Sequence, residues 1–160
     1  MIVGIGGEGE VVEVELHSWV KPSAVMEAIN RFLPRGLVIT RAKLVPPLRA
    51  TCVVVSMSFE ADIADEFAEH AHEAIKTLML ADSFTIMRGN EETGKSKPVD
   101  IRRYIECISL ENGLLSFRLE VTTTGTARPR EILAAVLPDS VDVRLVPLRK
   151  RGMEIRDAQR

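Results

Sequence analysis

Apolar and acidic positions alternate from Val11 to Leu16, with Val12, Val14 and Leu16 set against Glu13 and Glu15. A period of two is that of a half-buried strand, so the segment predicts one. Lys21-Pro22-Ser23 predicts a helix start, because proline's missing N–H has no intrahelical partner in a first turn. Val25, Met26, Ile29, Phe32 and Leu33 then share one helical face, and Pro34 and Gly36 end it. Alternation returns from Leu37 to Leu44, and Pro46-Pro47 breaks the chain.

β-Branched residues from Thr51 predict a strand to Phe59. Ile63, Phe67, Ala71, Ile75 and Leu78 recur at helical spacing, with Asp65, Glu66, Glu69, Glu73 and Lys76 opposite. A long helix with Phe67 in its core stripe is expected, capped by Asp62. Strands are expected over Ser83–Arg88 and Ile101–Leu110, with a polar loop over Gly89–Pro98 between them. Asn112-Gly113 predicts a tight hairpin, because that pair supplies positive φ angles. Leu115, Phe117, Leu119 and Val121 alternate through the return strand. Arg128-Pro129 opens a short helix carrying Ile132, Leu133 and Val136, and Pro138 closes it. Val141–Leu148 reads as the last strand, and the charged residues 149–160 as a frayed tail.

The two ends of this pattern repeat. Val12–Leu16, Lys21-Pro22, a helix, Leu33-Pro34 and Leu37–Ile39 match Phe117–Val121, Arg128-Pro129, a helix, Leu137-Pro138 and Val141–Val143. Both read strand, basic-Pro, helix, Leu-Pro, strand. The expected fold class is therefore α+β, with tandem ferredoxin-like (split βαβ) modules. Residues 50–148 form a complete module and residues 1–46 an incomplete one, lacking its first strand and helix. A half-module exposes an apolar face around Val12, Val14, Leu16, Val38 and Ala42, so a homodimer with its interface within 1–46 is expected. Glu13 and Glu15 oppose pairing of two identical strands, so burial of a helix or sheet face is expected there.

Composition changes little. The 160 residues carry a net charge of −2, with 46% hydrophobic and 28% charged residues, which is ordinary globular usage. No apolar run approaches a membrane span, and no basic-then-apolar leader opens the chain, so a cytoplasmic, non-membrane protein is expected. Charge is uneven: the balance is −5 up to Met87 and +3 from Arg88 onward. Cys52 and Cys107 lie among apolar residues, where thiols pack as small hydrophobes.

Candidate chemistry is sparse. Gly4-Ile5-Gly6-Gly7-Glu8-Gly9 fits the dinucleotide spacing but precedes a strand rather than a helix, so it reads as a glycine loop. His70 and His72 are two apart on a helix and cannot share a metal, and Glu66 with His70 lacks a third ligand. No nucleophile–base constellation has supporting context, so no catalytic residue, metal or cofactor is assigned. Two basic clusters remain. One holds Lys95, Lys97, Arg102 and Arg103 beside Tyr104. The other is the Gly- and Thr-rich loop from Thr122 through Gly125 to Arg128 and Arg130. Backbone N–H groups, hydroxyls and guanidiniums together are the equipment for a phosphate, although the same loop also reads as a plain connection. Aromatic residues are only 4% of the chain, which leaves little for stacking bases on a sheet.

The segment Lys97-Pro98-Val99-Asp100-Ile101-Arg102-Arg103-Tyr104-Ile105, the Asn112-Gly113 hairpin, and Gly125-Thr126-Ala127-Arg128-Pro129-Arg130-Glu131-Ile132-Leu133 resemble the radical-SAM-linked protein family. This is a bacterial domain found beside or fused to radical SAM proteins. The approach from Val3-Gly4 to Leu16 is similar as well. The resemblance implies a radical SAM protein as partner. The chain departs from the family in lacking a His-Leu-Asp helix and a Gly-Phe-Asn-Pro motif upstream. It also has no Cys-x-x-x-Cys-x-x-Cys spacing for an iron–sulfur cluster of its own. The reading is a non-catalytic partner of a radical SAM enzyme that binds RNA through Lys97, Arg102, Arg103, Tyr104, Gly125, Arg128 and Arg130. The alternatives are an enzyme subunit with a small-molecule or nucleotide site between modules, and a structural oligomerisation domain.

Overall fold

A computed structural model describes residues 5–45, 52–89, 94 and 96–157. The chain divides into two units, Met1–Glu10 with Cys52–Arg156, and Val11–Thr51 with Asp157–Arg160.

The larger unit is α+β. It contains β1 (Gly6–Gly7), β2 (Cys52–Asp62), α2 (Ala68–Leu80), β3 (Thr85–Gly89), β4 (Ser96–Asp100), β5 (Ile105–Glu111), β6 (Leu114–Glu120), α3 (Pro129–Val136) and β7 (Leu148–Asp157), while α1 (Pro22–Asn30) belongs to the smaller unit. Five strands run in the order β1-β7-β2-β6-β5, and β3 pairs only with β4. β6 lies antiparallel between β2 and β5, with Phe59 and Ile108 both opposite Phe117. Alternation therefore puts Phe59, Ala61, Leu115, Phe117 and Leu119 on one sheet face. They are buried there with Ala71 and Leu78 of α2 and Ile132, Leu133 and Val136 of α3. The Phe59 and Phe117 rings stack with centroids 5.4 Å apart.

The hairpin between β5 and β6 has the geometry its sequence requires, with φ of 52° at Asn112 and 76° at Gly113. Its tip docks on the end of β2. The Gly113 carbonyl accepts from Ile63 N–H at 2.7 Å, and a Cβ at Gly113 would meet the Ile63 oxygen at 3.2 Å. That contact turns the chain from β2 into a 3-10 turn, Asp65–Phe67, before α2 begins. Asp62 is therefore the last residue of β2 and pairs with Arg149 at 2.9 Å, rather than capping the helix. Phe67 sits at the helix start and is only half-buried.

Several sequence expectations fail for identifiable reasons. Val141–Leu148 is not the last strand. Val141 and Leu145 N–H groups bond back to Pro138 and Asp142, and Arg144 grips Asp142 through its backbone and its side chain. The Arg144 hydrogen bonds hold the Asp142 carboxyl down to about 2. The strand instead occupies the segment expected to fray. β7 is charged, but Arg151 pairs with Glu60, Arg149 with Asp62, and Glu154 with Arg118 across the sheet. The glycine loop also takes part: Gly6 and Gly7 pair parallel with Arg149 and Lys150. The polar loop 89–98 is shorter than expected, because β4 begins at Ser96. Cys107 is exposed beside a β-bulge, not packed, and the burial of Cys52 lies outside the described residues.

The smaller unit departs furthest. Neither Val11–Leu16 nor Leu37–Leu44 forms a strand, so of the expected half-module only its helix, α1, is present among the described residues. No residue of α1 is buried. The amide of Asn30 clasps Ile39, donating to its carbonyl at 3.0 Å and accepting from its N–H at 2.8 Å. Val12, Trp19, Phe32 and Val38 are 81%, 76%, 87% and 65% exposed. Alternation alone does not make a strand when no neighbouring strand supplies the ladder.

Candidate functional site

The fold brings the two basic clusters together at one point and scatters the rest. Tyr104 ends a 3-10 turn, Arg102–Tyr104, and its side chain is buried at 2% exposure. Its hydroxyl lies 3.5 Å from where a Cβ on Gly125 would sit, and Gly125 has φ of +134°. Glycine is required there both for the backbone angle and for the approach of the phenol. The loop around it is tight. Thr122 and Gly125 exchange backbone bonds of 2.9 and 3.1 Å, and the Thr122 and Thr124 hydroxyls are 3.0 Å apart.

Arg103 donates to the Tyr104 hydroxyl, and its guanidinium lies 4.6 Å from the Tyr104 ring centroid. The Arg103 hydrogen bond lowers the phenol's pKa from its ordinary value, against the opposing effect of burial, with further help from Thr124, the Arg103 charge and Thr122. Tyr104 is the only tyrosine. An ultraviolet titration of the whole protein should therefore give one phenol midpoint below the usual value of about 10. Arg103→Met should raise it, because burial then acts with less opposition. A wild-type midpoint at or above that of free tyrosine would refute this geometry.

Arg88, at the end of β3, ties the same loop to α3. It donates to Glu131 at 2.7 and 2.5 Å and to the Thr126 carbonyl at 3.1 Å. Glu131 also accepts from Arg128 N–H at 2.8 Å, capping the helix with its own carboxylate. That carboxylate takes the place a phosphate would have at the α3 N-terminus. Neither Arg88 nor Glu131 stood out in the sequence. The available signal was a glutamate three residues after the helix start.

The remaining candidates separate into two sets. Lys97 on β4 is exposed and sits opposite Arg88, so it shares one side of the hairpin with it. Arg128 is exposed, with its side chain at 64%. Arg128 ends the 122–128 loop, Arg103 adjoins it through the Tyr104 hydroxyl, and Lys97 stands opposite Arg88, which reaches the loop at the Thr126 carbonyl. Arg102 is employed elsewhere: it donates to the Met79 carbonyl at 3.2 Å near the C-terminus of α2, and to the Ile105 carbonyl at 3.3 Å. Arg130 donates to the Val143 carbonyl. Lys95 lies outside the described residues.

Two other regions bear on function. The sheet face opposite the helices carries a polar row across four strands. Arg118 reaches Ser56 at 2.7 Å, Glu154 at 2.6 Å and Glu106 at 2.9 Å. A hollow of about 350 Å³ lies between the β2–α2 junction and the segment after α3, lined by Ile63, Phe67, Leu137, Val141 and Leu145. Its two carboxylates, Asp62 and Asp142, are both paired to arginines. Among the described residues no group of His, Cys, Asp and Glu could hold a metal, and no helix is long and apolar enough to cross a membrane.

No curated protein and no solved structure matches the chain. A family described as an uncharacterized protein conserved in bacteria, DUF2344, matches residues 1–143, and the chain belongs to it.

Proposed function

We propose that this chain is a non-catalytic accessory domain that holds RNA phosphates on the loop 122–128, with Lys97, Arg103 and Arg128 as the cations and Thr124 as a hydroxyl donor. The radical SAM partner follows from the sequence resemblance. The strand order β7-β2-β6-β5, with α2 and α3 on one face, supports a single ferredoxin-like module as the scaffold. One observation carries the reading: Tyr104 and Arg88 draw two basic segments, distant in sequence, onto one Gly-Thr loop while leaving Lys97 and Arg128 exposed.

The same geometry narrows the proposal. Arg102 and Arg130 serve the fold and are withdrawn from the phosphate set. Stacking of bases on the sheet is not part of it, because the face opposite the helices presents Ser56, Arg118, Glu106 and Glu154 and no aromatic ring from that row. Binding should therefore depend on backbone charge and little on base sequence. Among the described residues, the carboxyls whose pKa moves, Asp142 and Glu154, move down beside arginines, which lends the enzyme alternative no support.

Fluorescence anisotropy with single-stranded RNA tests this. Three phosphate contacts predict a log–log salt slope near −2, or roughly a 20-fold loss of affinity from 50 to 200 mM salt. Arg103→Ala and Arg128→Ala should each flatten the slope by about 0.7. Arg102→Ala should lower stability and leave the slope alone. Absence of binding at low salt, or a slope indifferent to Arg103 and Arg128, would sink the reading.

A further inference from the structure

The smaller unit carries its own complementary charge pattern. Its acidic row is Glu13 and Glu15, framed by Val12, Val14 and Leu16. Its basic row is Arg41 and Lys43, framed by Thr40, Ala42 and Leu44. All ten residues are exposed, and none of the four charges makes an ion pair with a described residue. Both segments alternate as strands do, yet within one chain neither forms a ladder. On the second segment the Asn30 amide already holds the N–H and carbonyl of Ile39, leaving the opposite edge open.

From this complementarity we infer that a second copy of this chain covers the unit, residues 12–16 of each copy pairing antiparallel with residues 40–44 of the other. One register satisfies every position. Val12 meets Leu44, Glu13 meets Lys43, Val14 meets Ala42, Glu15 meets Arg41 and Leu16 meets Thr40. Opposite charges then face each other directly, and Val12, Val14, Leu16, Ala42 and Leu44 share the other face with Thr40, which is the pairing that stabilises an antiparallel sheet. The arrangement is isologous: each copy offers an acidic strand and receives one on its basic strand, so the contact closes on a two-fold axis as a dimer. Pairing acidic strand on acidic strand, which would set like charges opposite each other, is avoided. The exposed Val12 and Leu44, at 81% and 64%, lose their contact with water in the process. This inference is independent of the phosphate-binding reading, because it uses none of its residues.

Charge reversal in trans is the test, read as mass by sedimentation equilibrium on the full chain at micromolar concentration. Wild type should be a dimer. Glu13→Lys with Glu15→Lys should be monomeric, and so should Arg41→Glu with Lys43→Glu, because each now sets like charges opposite each other on both strands. An equimolar mixture of the two variants should dimerise again, since every cross-strand pair in the mixed dimer is once more of opposite sign. Recovery on mixing also shows that neither variant had simply failed to fold. A monomeric wild type, variants that stay dimeric, or a mixture that stays monomeric would each overturn the inference.

Discussion

Phe117→Ala should destabilise the protein by about 3–5 kcal/mol in urea melts, lowering the midpoint of thermal unfolding by roughly 10 °C. The ring is 2% exposed and stacks on Phe59 in the middle of the central strand β6. Deleting it removes the transfer free energy of a buried aromatic. It also leaves a cavity under α2 and α3 that rigid neighbours cannot fill. The denaturant slope should not change, since the same surface is exposed on unfolding. Phe67→Ala gives the contrast. Periodicity alone places Phe67 in the core stripe, but its ring is half-buried at the start of α2, so its loss should be well below that of Phe117. A cost for Phe117→Ala under about 1 kcal/mol would mean that the packed face has been assigned wrongly.

Glu131→Ala should cost about 3 kcal/mol, more than a surface ion pair ever does. Its carboxylate has two tasks. It takes a two-pronged hydrogen bond from Arg88, with both side chains about 85% buried, and it caps α3 through Arg128 N–H. Removing it strands a guanidinium in a poorly solvated place and leaves a helix start unsatisfied. Arg88→Met together with Glu131→Leu should recover most of the loss, because an apolar pair avoids the desolvation of two charges. The remaining deficit, about 1 kcal/mol, is the lost cap. Single losses that simply add in the double variant would show that Arg88 and Glu131 do not act as a pair.

Much of the larger unit was legible in the sequence. The stripe through Ala71 and Leu78, the Asn112-Gly113 turn and the Leu115-Phe117-Leu119 alternation each had one physical cause and one outcome. β7 was not legible, because its charged side chains are satisfied by partners on other strands. Arg151 reads as solvent-seeking until Glu60 is placed beside it. The smaller unit failed in the opposite sense. Val12, Val14 and Leu16 carry a clear period of two, but a period specifies which side chains share a face and not whether a partner strand exists. At the candidate site, composition singled out a loop and a tyrosine that the fold brings side by side. It could not tell the exposed Arg128 from Arg102, because both are arginines near a helix end. The distinction is made by the Met79 carbonyl, which lies far away in sequence.

The order of strands has a consequence for the chain while it is being made. β2 leaves the ribosome carrying Val53-Val54-Val55, and both of its edges are reserved for β6 and β7, which are synthesised later. β6 follows only after α2 and the strands β3, β4 and β5 have been translated, and β7 after α3 as well. At 5–20 residues per second β2 waits on the order of 5–20 s for β7. During that interval the β3–β4 and β5–β6 hairpins close through short local connections, since distant pairings must first meet the entropy of a long loop. Ser56, Ser58 and Glu60 face away from the apolar side of β2 and make its second face polar while the strand waits. The polar residues of that strand thus act first on the nascent chain, before they take their places beside Arg118 and Arg151 in the finished sheet.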